Sequence, residues 1–144
     1  MTQTQSSYAQ AFDLLATLVA VVRTDGVVLF ANSALEDVMG VSRRNIEGAA
    51  MASYFTETQS FENALQGAQT NAFATMRYDA HLRRPLQDPM PVHVIVAPTD
   101  IQGQVLVELL PLELQARQGR EERLIDQAQA NKELIRNLAH EIKN

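Results

Sequence analysis

Apolar and polar positions near the start of the chain follow the pattern of a β-hairpin. Residues 19–23 are rich in β-branched side chains, which favour a strand. Asp25-Gly26 indicates a turn, because this pair tolerates positive φ, and residues 27–32 read as the returning strand. Residues 19–32 are therefore predicted to form an antiparallel hairpin.

Apolar residues at spacings of three and four predict helices on both sides of this hairpin. The first is an amphipathic amino-terminal helix within residues 1–18, whose apolar positions lie between residues 5 and 18. Ser33, with Glu36 three residues later, has the spacing of a capping box, and Gly40 is typical of a helix end. The helices expected after the hairpin are 33–39, 42–47, 49–55 and 58–70.

The period changes to two after residue 70, which predicts three further strands at 73–82, 91–97 and 105–110. Pro85 and Pro89 place a loop between the first two of them. Consecutive hairpins with helices between the second and third strands indicate an α+β domain. We expect a five-stranded antiparallel sheet with short covering helices, over residues 19–111.

The tail, residues 112–144, carries the pattern of a long coiled-coil helix. Seven positions alternate at spacings of three and four, with a polar residue at Asn131 that would fix the register. An isolated helix of this kind is only marginally stable in water. A parallel homodimer is the simplest arrangement that would bury the apolar residues on its one face. The positions are Glu121, Leu124, Ala128, Asn131, Ile135, Leu138 and Ile142.

Composition narrows the possible chemistry. The chain has 144 residues and 46% hydrophobic residues, enough for one packed domain with an appendage. It contains no cysteine, which excludes disulfides, zinc–thiolate sites, iron–sulfur clusters and a cysteinyl–flavin adduct.

Charge separates the two parts of the chain. The formal net charge is −5, and all of it lies in residues 1–112, whereas the tail is neutral. An acidic first part argues against a nucleic-acid-binding surface. The first residues lack the basic region of a targeting sequence, and the longest apolar run, 14–22, is too short to span a membrane. We therefore expect a cytoplasmic protein.

The end of the tail holds the strongest candidate for chemistry. In the heptad frame His140 lies on the outer face of the helix, where an imidazole is accessible as a nucleophile. Glu141 is adjacent, and Asn144 lies one turn later on the same face. A solvated histidine is the simpler interpretation of His140 taken alone. Zinc binding by the His-Glu pair is disfavoured, because the motif needs a histidine where Asn144 stands.

The string His140-Glu141-Ile142-Lys143-Asn144, preceded by Arg136-Asn137-Leu138-Ala139, resembles the H-box of sensor histidine kinases. Together with the domain before it, the chain is similar to the nitrogen-regulation sensor histidine kinases, the NtrB family. The resemblance implies that residues 19–111 form a PAS domain. It also implies that 112–144 form a linker and the first, truncated part of the dimerisation and phosphoacceptor helix.

The same resemblance assigns roles at this site. His140 would be the phosphoacceptor, Glu141 its acid/base neighbour, and Asn144 would position water in the phosphatase reaction. The partners it implies are a second copy of the chain, the response regulator NtrC and the PII signal protein. Mg-ATP would serve the full-length kinase. Without the family's ATP-binding domain, this fragment is expected to bind no cofactor and to be inactive alone.

Two alternatives concern the first domain. It could be a ligand-binding PAS module, since haem is held by some PAS domains and the chain offers His81 and His93 on predicted strands. However, the helix 58–70 contains no histidine, so ordinary strand residues are favoured. A non-switching dimerisation scaffold is the other alternative. Six apolar residues would either line a small cavity or simply form the core, the latter being favoured: Phe30, Met39, Met51, Phe55, Phe61 and Phe73.

Overall fold

The structure, a computed structural model, describes residues 9–70, 74–112 and 136. The chain divides into two compact units, Met1–Pro111 and Leu112–Asn144. The first unit contains every strand and helix described below. The coiled-coil pattern predicted for the tail lies outside the described residues.

Five antiparallel strands form one sheet. They are β1 (Leu18–Arg23), β2 (Val28–Ala31), β3 (Met76–Leu82), β4 (Met90–Pro98) and β5 (Gln104–Pro111). Their order across the sheet is β2-β1-β5-β4-β3, which confirms the predicted five-stranded antiparallel sheet. The predicted hairpin is β1 and β2, and its turn contains Gly26 at a φ of 95°.

Helical segments precede β1 and fill the connection from β2 to β3. Residues 9–13 are helical. Between the strands lie α1 (Ser33–Met39), α2 (Arg43–Ile46), a 3₁₀ helix (Met51–Tyr54) and α3 (Thr58–Thr70). The α1 and α3 boundaries match the sequence prediction, whereas the helix predicted over 49–55 is a shorter 3₁₀ turn.

Two predictions about helix ends were wrong. The amino-terminal helix does not continue to residue 18, because residues 15–17 leave the helix and Leu18 begins β1. The cap of α1 is Asn32 and not Ser33: the Asn32 side chain accepts a hydrogen bond from the Leu35 amide. The predicted end of α1 at Gly40 is confirmed, with φ at 67°.

The core lies between one face of the sheet, here called the inner face, and the helices. Along β4 and β5 every second residue is buried there, among them Val94 and Val107. From the helical side Phe55 and Phe61 stack with their ring centroids 5.2 Å apart. The inner face therefore has a continuous apolar cover.

The opposite side, the outer face, is covered at one end. Val19, Val21 and Phe30 point to it and are only 2%, 4% and 6% exposed. The Phe12 ring from the helical residues 9–13 lies 6.1 Å from the ring of Phe30, centroid to centroid. The segment before β1 therefore shields β1 and β2 on the outer face.

Candidate functional site

The residues expected to carry phosphoryl chemistry, His140, Glu141 and Asn144, lie outside the described residues. Their roles stay predictions from the sequence. The candidate site that the structure does describe is therefore the sensory unit: its core, its titratable side chains and its junctions. Among the described residues, no helix has the length and apolarity to cross a membrane.

Most of the residues considered for a cavity are packed in the core. Met39, Met51, Phe55 and Phe61 are at most 2% exposed and belong to one hydrophobic cluster. Phe30 is separate, since it faces the outer side of the sheet against Phe12. Phe73 lies outside the described residues. The arrangement agrees with the interpretation of these side chains as core.

His81 on β3 is paired with a carboxylate. Its Nδ1 lies 2.5 Å from Glu57 Oε1, and its backbone N–H donates to Glu57 Oε2. Burial raises the pKa of Glu57, but the two hydrogen bonds from His81, a backbone hydrogen bond and the charge interaction with His81 together bring the net pKa below its ordinary value. The pair ties the start of α3 to the edge of the sheet.

His93 on β4 stands directly opposite Asp79 on β3, with 2.8 Å between His93 Nδ1 and Asp79 Oδ1. Both side chains lie on the outer face. No group of three or more His, Asp or Glu suited to a metal ion occurs among residues 9–70, 74–112 and 136. Each of the two histidines on the sheet is therefore paired with one carboxylate, His81 with Glu57 and His93 with Asp79.

Asn32 is the one buried polar residue of the described chain, with 0% exposure. Its Oδ1 accepts from the N–H groups of Val19 and Leu35, both at 3.0 Å. Its Nδ2 donates to the carbonyl groups of Phe12 at 3.0 Å and Thr17 at 2.9 Å. One amide thus joins the helical residues 9–13, β1 and the start of α1.

Arg43 makes the second connection to the same segment. Its guanidinium donates to both carboxylate oxygens of Asp13, at 3.2 and 2.9 Å, and to Ser33 Oγ at 2.9 Å. The guanidinium also lies 5.5 Å from the centre of the Phe30 ring. Asp13, Asn32, Ser33 and Arg43 are called the amino-terminal junction below.

The junction fixes where the chain enters the sheet. A displacement of residues 9–13 would break the Asp13 contacts and the hydrogen bond from Asn32 to the Phe12 carbonyl together, so this segment is linked to the start of α1 and to α2. Sequence reasoning assigned the cap to Ser33 and did not identify Asn32 or Arg43. The available signal was an Asn-Ser pair between a strand and a helix.

A groove of about 360 Å³ runs between α3 and β3. Tyr78 contributes to it, and its hydroxyl is buried with no hydrogen-bond partner in the described chain. Burial, with a smaller contribution from the charge of Glu57, raises the pKa of Tyr78 far above its usual range. The other lining residues are Ser60, Asn63, Ala64, Met76, Arg77 and Asp79.

Curated relatives resemble almost the whole chain. The sensory histidine kinase/phosphatase NtrB of Escherichia coli O157:H7 is 26% identical over an alignment that covers 99% of this chain. The same protein of Shigella flexneri matches equally. This chain spans about 40% of the length of these relatives. No family model matches the chain.

Solved structures resemble the first unit. The PAS domain of an HTR-like protein from Haloarcula marismortui superposes with a TM-score of 0.64 and 15% identity, covering 77% of this chain and 99% of that one. The PAS domain of nitrogen regulation protein NR(II) from Vibrio parahaemolyticus gives a TM-score of 0.58 and 15% identity, covering 72% and 96%. The fold is therefore a PAS fold, with homology to NtrB at low identity.

Proposed function

We propose that this chain is the sensory and dimerisation part of a cytoplasmic two-component histidine kinase that controls nitrogen assimilation. The observation that carries the proposal is the string His140-Glu141-Ile142-Lys143-Asn144 behind a PAS domain. Similarity to NtrB over 99% of the chain, which extends beyond the PAS fold into the tail, supports it.

In the intact kinase a ring nitrogen of His140 attacks the γ-phosphorus of Mg-ATP. The N–P bond forms as the bond to the leaving oxygen of ADP breaks. Glu141 holds the proton of the other ring nitrogen, so that the attacking nitrogen is free. The phosphoryl group then passes to an aspartate of the response regulator NtrC.

The reverse function, removal of the phosphoryl group from NtrC, uses Asn144. Its amide orients a water molecule for attack on the phosphorus, under control of the PII signal protein. The PAS domain biases the helix toward one of the two activities. Mg-ATP would be bound by the ATP-binding domain of the full-length kinase.

The test is autophosphorylation of the full-length kinase with radioactive ATP. His140→Ala is expected to abolish labelling. The matched control is the double variant His81→Ala, His93→Ala, which removes the histidines of the PAS domain and is expected to keep its label. Labelling that survives in His140→Ala would overturn the proposal.

A ligand-binding PAS module is the second candidate. The hydroxyl of Tyr78, which is buried beside a groove and has no hydrogen-bond partner in the part of the chain that the structure describes, favours it. A related fold, the PAS domain of RpfR from Cronobacter turicensis, was solved in complex with BDSF. Native mass spectrometry of the 144-residue chain tests this candidate. A bound small molecule that is lost in Tyr78→Phe would support it, and bare protein would count against it.

A further inference from the structure

The edge strand β3 leaves part of its backbone without a partner. It pairs with β4 on one side and forms the edge of the sheet on the other. Near its end this edge is covered, because the Thr56 N–H donates to the His81 carbonyl and the His81 N–H donates to Glu57. Every second residue of an antiparallel strand points its N–H and C=O groups to the same side. Those of Arg77 and Asp79 therefore point to the edge, where they have no partner among residues 9–70, 74–112 and 136.

The groove of about 360 Å³ between α3 and β3 lies along this free edge. Arg77 and Asp79 direct their exposed side chains to the outer face of the sheet, whereas α3 packs on the inner face. Both strand residues and α3 line the groove. A groove that touches both can lie only at the edge of the sheet, beside the unpaired backbone groups.

The lining of the groove fits a peptide main chain. The wall opposite the strand carries Ser60 and Asn63 of α3, and between the walls lie Ala64, Met76 and Tyr78. The Asn63 Oδ1 accepts from a neighbouring side chain on α3, so its amide N–H groups remain as donors. An extended peptide presents donors and acceptors at both edges of its main chain and turns alternate side chains to one face. Polar walls with apolar side chains between them match both properties.

The chain itself shows how this edge accepts a strand. Phe55 pairs antiparallel with Leu82, and the Arg83 N–H donates to the Tyr54 carbonyl at 2.7 Å. The segment then leaves the edge at Thr58, where α3 begins. The uncovered stretch of β3 continues the same path, so a further strand in the same direction would extend a pairing that already exists.

We infer that the free edge of β3 binds an extended peptide segment of a partner protein as an added, antiparallel strand. Its main chain pairs with the backbone groups of Arg77 and Asp79, and an apolar residue between them lies over Tyr78. The next residue of the peptide is acidic and faces Arg77. The guanidinium of Arg77 has no ion pair in the described part of the chain, whereas Asp79 is already paired with His93.

This ligand is of a different class from the small molecule of the second candidate function, and the proposal is independent of the kinase assignment. Strand addition draws most of its affinity from the main chain, so a designed peptide can replace the natural partner. The probe is the hexapeptide Thr-Lys-Val-Glu-Val-Thr, acetylated and amidated at its ends. In the proposed register its Glu faces Arg77, the Val before it faces Tyr78, and its Lys faces Asp79.

Nuclear magnetic resonance of the isotope-labelled 144-residue chain tests the site directly. With excess probe, the amide signals of Arg77 and Asp79 are expected to shift. Their hydrogen exchange should slow about tenfold when about nine-tenths of the chain is occupied. The proposal is wrong if neither amide responds. It is equally wrong if both amides exchange slowly in the chain alone, because another segment or a second copy then covers the edge.

A charge exchange tests the acidic residue of the peptide. Arg77→Glu is expected to weaken binding of the probe about fivefold, which corresponds to about 1 kcal/mol for one surface pair. A probe with Lys in place of its Glu should bind this variant as tightly as the original probe binds the unchanged chain. Arg44→Glu, an exposed charge on α2, is the control and should change nothing. Equal binding of both probes to both proteins would overturn the proposed chemistry of the peptide.

A backbone variant tests strand addition itself. Asp79→Pro removes the N–H at the free edge but no ladder bond to β4, and proline is tolerated at such positions. Asp79→Ala keeps the N–H and is the matched control. The proline variant is expected to bind the probe about fivefold more weakly than the alanine variant, as for the loss of one hydrogen bond. Equal affinities would exclude main-chain pairing.

The peptide site fails separately from both candidate functions. Tyr78→Phe keeps every backbone group of the edge and should bind the probe normally, whereas a small molecule held by the hydroxyl would be lost. Loss of peptide binding in Tyr78→Phe would contradict recognition through the main chain. Labelling of His140→Ala reports on the kinase whatever the edge of the sheet binds.

Discussion

Asn32 shows how one side chain specifies a local structure. Its amide accepts two hydrogen bonds and donates two, and every one of its polar groups has a partner in the chain. Aspartate would lack the two donors, and serine would lack the reach. An asparagine at this position therefore closes the hairpin, caps α1 and fixes residues 9–17 in one step.

Removal of this amide should be costly. Asn32→Ala leaves backbone groups of Val19, Phe12 and Thr17 without partners, some of them buried, and we expect a loss of about 3 kcal/mol in the free energy of unfolding. Urea denaturation followed by circular dichroism measures it. Asn63→Ala, at an exposed position, is the control and should change little. A loss below about 1 kcal/mol would show that these hydrogen bonds are dispensable.

Tyr78 presents the opposite case, a buried hydroxyl that has no hydrogen-bond partner among the described residues. Tyr78→Phe removes only that oxygen, so we expect the free energy of unfolding to stay the same or to rise by about 1 kcal/mol. A clear loss of stability would mean that the hydroxyl has a partner. The same thermal or urea measurement decides between these outcomes.

The raised pKa of Tyr78 also predicts a pH dependence. The unfolded chain ionises this group near its ordinary value of 10.0, whereas the folded chain keeps it protonated. The stability that this group contributes is therefore complete below that pH and is lost as the pH rises above it. Tyr78→Phe should flatten the fall in stability above about pH 10. An unchanged fall would assign it to other groups.

At the scale of single elements, period and caps predicted most of the fold. The strands predicted at 91–97 and 105–110 are β4 and β5, whose residues alternate between buried and partly exposed because one face meets the core and the other does not. The boundary at residue 18 failed for a physical reason. β1 is buried on both faces, so its apolar run continues that of the preceding helix and shows no period of its own.

The contact of Asp13 with Arg43 should couple the amino-terminal segment to α2. Both side chains are about 30% exposed, and the geometry is bidentate. A double-mutant cycle of Asp13→Ala and Arg43→Ala is expected to give a coupling energy of about 1 kcal/mol. Urea denaturation of the four proteins measures it. The exposed pair Arg23–Asp25 serves as the comparison and should couple more weakly, and a reversed ranking would contradict the assignment.

At the scale of the whole molecule, the order of the strands in the sheet cannot be predicted from local sequence patterns. β1 pairs with β5, some eighty residues later, and nothing in either strand specifies the other. The candidate sites divide in the same way. His140 was predicted from a string of neighbours in sequence, whereas the amino-terminal junction and the His81–Glu57 pair join residues from distant segments. Sites of the second kind can be identified only when the tertiary structure is known.

If the PAS domain signals through the predicted helix that carries His140, a rotation of that helix should change the regulation of the kinase. In the intact kinase, insertion of one residue between Gly119 and His140 turns the helix face and is expected to disrupt regulation. Insertion of seven residues restores the face and should largely restore activity. Autophosphorylation and NtrC dephosphorylation assays measure both. Equal activity of the two insertions would favour a non-switching scaffold.

The shielding of Phe30 by Phe12 has a practical consequence for any exchange of this sensory unit between proteins. A graft that begins at β1 would leave behind the cover of Val19, Val21 and Phe30, and with it two of the acceptors of Asn32. The transplanted β1 and β2 would then expose apolar residues on their outer face, and the unit would be prone to aggregate. The smallest transferable unit therefore starts upstream of Phe12, and the residues before the first strand belong to the domain.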